Sequence, residues 1–97
     1  MTPAPTLAEE RVARIRERLA TALAPEQLEV IDEGHLHHGH KGAGGLGHFR
    51  VRIRAGELTG LPRVRAHQRI YELMGDLMRT DVHALAIELL PAPAENR

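Results

Sequence analysis

At 97 residues the chain is long enough to build one hydrophobic core and too short for a second. Apolar residues make up 42% of it but aromatics only 2%, so the core must come from Leu, Ile, Val, Ala and Met, and the stacking platform that single-strand nucleic-acid binders carry is missing. Thirteen Lys and Arg balance thirteen Asp and Glu, which removes any general attraction to nucleic acid or anionic lipid, and the absence of cysteine removes disulfides and thiolate metal sites.

Thr6 followed by Glu9 fits a capping box, in which hydroxyl and carboxylate satisfy free amides at a helix start. Val12, Ile15, Leu19, Ala22 and Leu23 then recur at helical spacing, with Arg11, Arg14, Glu17 and Arg18 on other faces, until Pro25 stops the helix. Residues 28–32, with Val30 and Ile31, read as a strand. Residues 34–47 are rich in glycine and carry four histidines, which predicts a long mobile loop of the kind that is either functional or disordered. Residues 48–54 alternate, placing Phe49, Val51 and Ile53 on one face and His48, Arg50, Arg52 and Arg54 on the other, as a half-buried strand does.

Gly56, Gly60 and Pro62 mark a turn region. After it Val64, His67, Tyr71, Met74 and Met78, with Ile70 and Leu77 beside them, form a stripe that predicts a second helix over 63–79. Thr80-Asp81 breaks the pattern, and 82–90 reads as a third strand with Leu85, Ile87 and Leu89 facing the core. The reading is one α/β (α+β) domain over 7–90, in αββαβ order, with two helices on one face of a three-stranded mixed sheet. Residues 1–6 and 91–97 are read as disordered ends. The opening residues lack the pattern of a signal peptide and no run approaches the roughly 18 apolar residues of a membrane span, so the expected location is the cytoplasm.

Imidazole is the commonest transition-metal ligand near neutral pH, and His35, His37, His38 and His40 can converge on an ion from one flexible loop. Their spacing matches no structural-zinc pattern, so a solvated loop that scavenges metal weakly explains them as well. His83 shares parity with Leu85, Ile87 and Leu89 at the first turn of its strand, open either to a structural role or to ligation. His67, within the helical stripe, reads as a partly buried histidine hydrogen-bonded nearby. Arg50, Arg52 and Arg54 share a strand face that either binds phosphates or is an ordinary solvated surface. No Ser/His/Asp order, GxxxxGK[ST] or HExxH is present, so the chain is read as a binding module and not an enzyme.

Taken together, Leu28-Glu29-Val30-Ile31-Asp32-Glu33, the histidine loop, His48-Phe49-Arg50-Val51, Leu58-Thr59-Gly60, His67, Tyr71 and Val82-His83-Ala84-Leu85-Ala86 resemble the BolA family, in order across about residues 8 to 90. The resemblance implies an αββαβ fold similar to class II KH domains and a partnership with a monothiol glutaredoxin. In such pairs a [2Fe-2S] cluster is shared: the glutaredoxin supplies its cysteine and a glutathione thiolate, and the BolA-like protein supplies a loop His or Cys and the His of the last strand. Here the strand ligand falls on His83 and the loop ligand on His37, with His35, His38 and His40 as alternatives. Imidazole in place of thiolate raises a cluster's potential, as in Rieske-type centres. The implied function is an adaptor in iron-sulfur cluster trafficking or iron sensing.

The alternative carried by the same resemblance is a nucleic-acid-binding transcriptional regulator using Arg50, Arg52, Arg54 and the second helix with His67. Departures from the family pattern count against it. Ala66 and Gln68 stand where arginines usually flank His67, and no GxxG joins two helices as a KH clamp requires. Gly47 replaces a usual threonine or serine, which is expected to loosen the loop's exit. A third class is an autonomous metal-binding protein that uses the histidine loop alone; a homodimer is also compatible with the sequence.

Overall fold

The computed structural model describes residues 4–34 and 45–91. Helix α1 (Leu7–Leu23) starts at the capping box: the Thr6 amide donates to Glu9 Oε1 at 2.8 Å and the Glu9 amide to Thr6 Oγ1 at 3.1 Å. Its buried stripe is Ile15, Leu19 and Leu23. The helix ends at Ala24, which takes a left-handed conformation (φ 42°, ψ 58°) and returns its N–H to Ala20 O at 3.0 Å. A β-carbon in that conformation costs roughly 1–2 kcal/mol. Ala24→Gly is therefore expected to raise stability by about 0.5–1 kcal/mol after allowance for glycine's freedom in the unfolded chain. Urea denaturation checks this, and a lower midpoint for the variant would contradict it.

Strands β1 (Gln27–Asp32), β2 (Gly47–Arg54) and β3 (Val82–Leu89) form one sheet in the order β1-β2-β3, with β1 antiparallel and β3 parallel to the central β2. The central position explains the strict alternation of β2. Phe49, Val51 and Ile53 are buried between Leu28 and Val30 of β1 on one side and Leu85, Ile87 and Leu89 of β3 on the other. That row is the floor of the core, and the stripe of α1 packs into the same cluster.

Between β2 and β3 the architecture departs from the sequence reading. The turn region contains a short helix, α2 (Gly56–Thr59), which buries Leu58. The helix expected over 63–79 is two helices, α3 (Arg63–Met74) and α4 (Leu77–Thr80), parted at Gly75, whose φ of 53° a continuous right-handed helix does not accommodate. Arg18 of α1 fills the break: its Nη1 donates to the carbonyls of Leu73 (3.1 Å) and Met74 (2.9 Å), oxygens that the end of α3 leaves without helical partners.

The core-facing stripe of α3 also differs. It is Ala66, Ile70 and Met74, continued by Leu77 of α4, whereas Val64 is 67% exposed and Tyr71 42% exposed. Ala66 carries little weight in a hydrophobic pattern, yet it is fully buried. Tyr71 lies at the rim, where its hydroxyl donates to Leu85 O at 3.2 Å on the outer strand β3. Strand β3 ends at Leu89, one residue short of the predicted limit.

Candidate functional site

Because β1 runs against β2 and β3 runs with it, β1 ends where β2 and β3 begin. The backbone at this end is closely tied. Glu33 N–H donates to His48 O (2.8 Å), Gly47 N–H to Asp81 O (3.0 Å) and Gly34 N–H to Asp32 Oδ1 (2.8 Å), while Arg11 Nη1 of α1 donates to Gly45 O (2.9 Å). Gly34 and Gly45 flank the histidine-rich segment, so both its flanks leave from this end. His35, His37, His38 and His40 themselves lie outside the described residues.

The pairing of β2 with β3 carries one irregularity. Gly47 pairs with Val82 but His48 pairs with Ala84, so His83 is an extra residue on β3, a β-bulge. Simple alternation would turn His83 toward the core with Leu85, Ile87 and Leu89; the bulge reverses that. Val82 stays buried, while His83 and Ala84 are both exposed. The His83 ring lies beside that of His48, centroids 5.1 Å apart and planes inclined at 58°.

His48 entered the sequence reading as a solvent-face residue of its strand and as part of the His48-Phe49-Arg50-Val51 stretch, with no role in the site. Its one sequence signal is its place before Phe49 at the start of β2; the meeting with His83 needs the parallel register and the bulge, and no motif announces either. Among the described residues no group of three or more His, Asp or Glu side chains is placed to hold a metal ion. The two imidazoles are therefore part of a ligand set at most, although neutral nitrogen donors suit iron and zinc alike.

Asp81, two residues before His83, is the buried anchor of this end. Arg14 Nε and Nη2 both donate to its Oδ2 (3.1 and 2.7 Å), Arg11 Nε lies 3.5 Å from the same oxygen, and Thr80 Oγ1 donates to Oδ1 at 2.6 Å. Burial by itself would push the carboxyl up. The hydrogen bonds from Thr80 and Arg14, with the charges of Arg14 and Arg11, outweigh it and hold Asp81 below the ordinary carboxylate range.

Gly47 does not loosen the chain here. A β-carbon at that position would lie 2.5 Å from Cε2 and 2.6 Å from Cζ of Phe49, so the buried ring packs directly over the glycine backbone.

Arg50, Arg52 and Arg54 share the other face of β2, and each meets a carboxylate. Arg50 pairs with Glu33 (2.8 Å), Arg52 with Glu29 (2.8 Å) and Glu88 (3.2 Å), and Arg54 with Glu26 (3.8 Å). Hydrogen bonding to Glu33, and to Glu29 and Glu88, raises the already high pKa of Arg50 and Arg52. This face is a cross-strand ladder of alternating charge. His67, half-buried on α3, lines a shallow cleft with Arg63 and residues 87–89 of β3. At about 3.3 Å per residue, even Ile87 is roughly 13 Å along the strand from His83, so His67 is not brought to the His48–His83 end. Ala66 is fully buried, so of the two positions where arginines were missed only Gln68 is exposed.

The family model described as BolA-like protein matches residues 19–95. The chain belongs to the BolA family. An uncharacterized protein in the cobS 5′ region of a Sinorhizobium species is 43% identical over 77 residues, covering 76% of this chain and 83% of that protein. The DNA-binding transcriptional regulator BolA of Escherichia coli (strain K12) is 38% identical over 74 residues, covering 76% of this chain and 69% of the regulator. Among solved structures, the BolA domain of SufE1 from Arabidopsis thaliana is similar with a TM-score of 0.72 and 38% identity, over 84% of this chain and 91% of that one. The same plant's SufE-like protein 1 is much longer, and the match spans 24% of its length. No helix among the described residues is long and apolar enough to cross a membrane.

Proposed function

We propose that this BolA-family chain is an adaptor that docks on a monothiol glutaredoxin and contributes His83, together with a loop histidine, to a [2Fe-2S] cluster shared between them. The observation that carries the reading is the bulge, which turns His83 out of the core to an exposed position at the end of the sheet from which both flanks of the histidine loop depart. His37 is the proposed loop ligand, with His35, His38 and His40 as alternatives; all four lie outside the described residues.

The donor set fits such a shared group. The chain has no cysteine, so it offers imidazole nitrogens but no thiolate, and the thiolates have to come from the partner and from glutathione. When bound, a cluster with imidazole on one iron supplies one-electron redox chemistry at a raised potential. What this chain does is present the His83 imidazole at an accessible edge and hold the adjoining backbone through Asp81 and Gly47. The proposed role is cluster trafficking or iron sensing, in the cytoplasm, as a binding module rather than a catalyst.

The test is reconstitution with a monothiol glutaredoxin, glutathione and iron-sulfur reagents. His83→Ala is expected to abolish the wild-type visible absorption and circular dichroism signature of the complex; an unchanged spectrum sinks the assignment. A second reading, DNA binding, is favoured by the similarity to the DNA-binding transcriptional regulator BolA of Escherichia coli. The carboxylates along the arginine row weigh against that face as its phosphate contact. Binding to duplex DNA that survives His83→Ala and weakens steeply with salt would support the second reading.

A further inference from the structure

We infer that His48 is a positioning residue for His83: its ring, fixed on the central strand, is the wall against which the exposed His83 imidazole is held. This deepens the adaptor reading above and rests on His83 being a ligand.

A histidine on a bulge of an outer strand has little to restrain it. His83 is exposed, β3 has no further strand beyond it among the described residues, and the residue beside it on the same face is Ala84, too small to steer a ring. The nearby ring is that of His48. A centroid separation of 5.1 Å with the planes inclined at 58° falls within the range in which tilted ring pairs attract. His48 is itself well held: it is half-buried, it lies on the strand paired on both sides, and its carbonyl accepts the Glu33 amide at 2.8 Å. The preceding residue, Gly47, is bonded to Asp81 O and packed beneath Phe49. A ring in a rigid place thus supports one in a loose place, and the bulge is what brings them to the same face.

The consequence is pre-organisation. A partner that captures a side chain already confined to its bound orientation avoids the entropy of freezing it, a saving of about two- to tenfold in affinity for one such side chain.

The experiment uses the full chain with three substitutions: His48→Val, which keeps a strand-forming residue but no ring; His48→Phe, which keeps a ring without nitrogens; and His83→Ala. In the free protein, the ring-proton resonances of His83 are expected to lose their ring-current displacement in His48→Val and to regain most of it in His48→Phe. With a monothiol glutaredoxin carrying glutathione and the cluster, His48→Val is expected to bind about two- to tenfold more weakly, and His48→Phe to return to near wild type. Unchanged His83 resonances and affinity in His48→Val overturn the inference, as does failure of His48→Phe to restore them. If instead His83→Ala leaves the spectrum of the complex unchanged, the adaptor reading falls, and the resonances of the free protein still decide whether His48 positions His83.

Discussion

Asp81→Asn is expected to lower folding stability by about 2–3 kcal/mol at neutral pH, because the change leaves Arg14 and Arg11 facing a neutral amide in a nearly closed site. A fully buried pair would lose more, but the Arg14 side chain is 46% exposed and water recovers part of its solvation. The carboxyl titrates below its ordinary value in the folded protein. Its stabilisation is therefore complete above the unfolded-chain value, about 3.9, and is lost as the pH falls through the lower folded value. Urea denaturation at pH 7 and near pH 3 reads both effects: a large gap between wild type and variant at pH 7, narrowing as the solution is acidified. A gap that widened in acid would show that Asp81 does not hold the helices by its charge.

The second large effect is expected at Gly47. A methyl group there would meet two carbons of the Phe49 ring well inside contact distance, and the ring is 2% exposed with nowhere to turn. Gly47→Ala should cost about 1–3 kcal/mol, the usual range for overpacking a filled core. The strain falls at the first residue of β2, so the bulge opposite should respond as well. The His48 and His83 resonances are expected to shift in Gly47→Ala and to stay in place in a cavity-forming variant at the far end of the strand, such as Ile53→Val. A Gly47→Ala protein as stable as wild type would mean that the ring does not rest on this backbone.

Much of the scaffold was legible because it depends on local pattern. The Thr6–Glu9 box, the four-residue spacing of Ile15, Leu19 and Leu23, and the alternation of Phe49, Val51 and Ile53 each follow from one element's own geometry. The misreadings arise where one element answers to another. Val64 and Tyr71 looked like core, but the phase of α3 is set by Ala66 and Ile70, and the tyrosine ring spans the rim to reach β3. Gly75 interrupts the helix at a point where Arg18, from α1, is available to cap the exposed carbonyls. The role of the β2 arginines was left open because their carboxylate partners are distant in sequence: Glu29 and Glu88 on the two neighbouring strands, Glu26 and Glu33 just beyond the two ends of β1. His83 was singled out, but its direction was misread, since counting by twos fails at a bulge. His48 was missed for the same reason.

That extra residue has a bearing on solubility too. Among the described residues β3 is an outer strand with no neighbour on its far side, the arrangement from which sheets grow from molecule to molecule. The bulge at its beginning puts the amides of Val82, His83 and Ala84 out of step with a regular partner, and the Tyr71 hydroxyl occupies the carbonyl of Leu85 just beyond. Half of the edge is thereby spoiled as a template, so the distortion that turns a histidine outward also discourages self-assembly along β3.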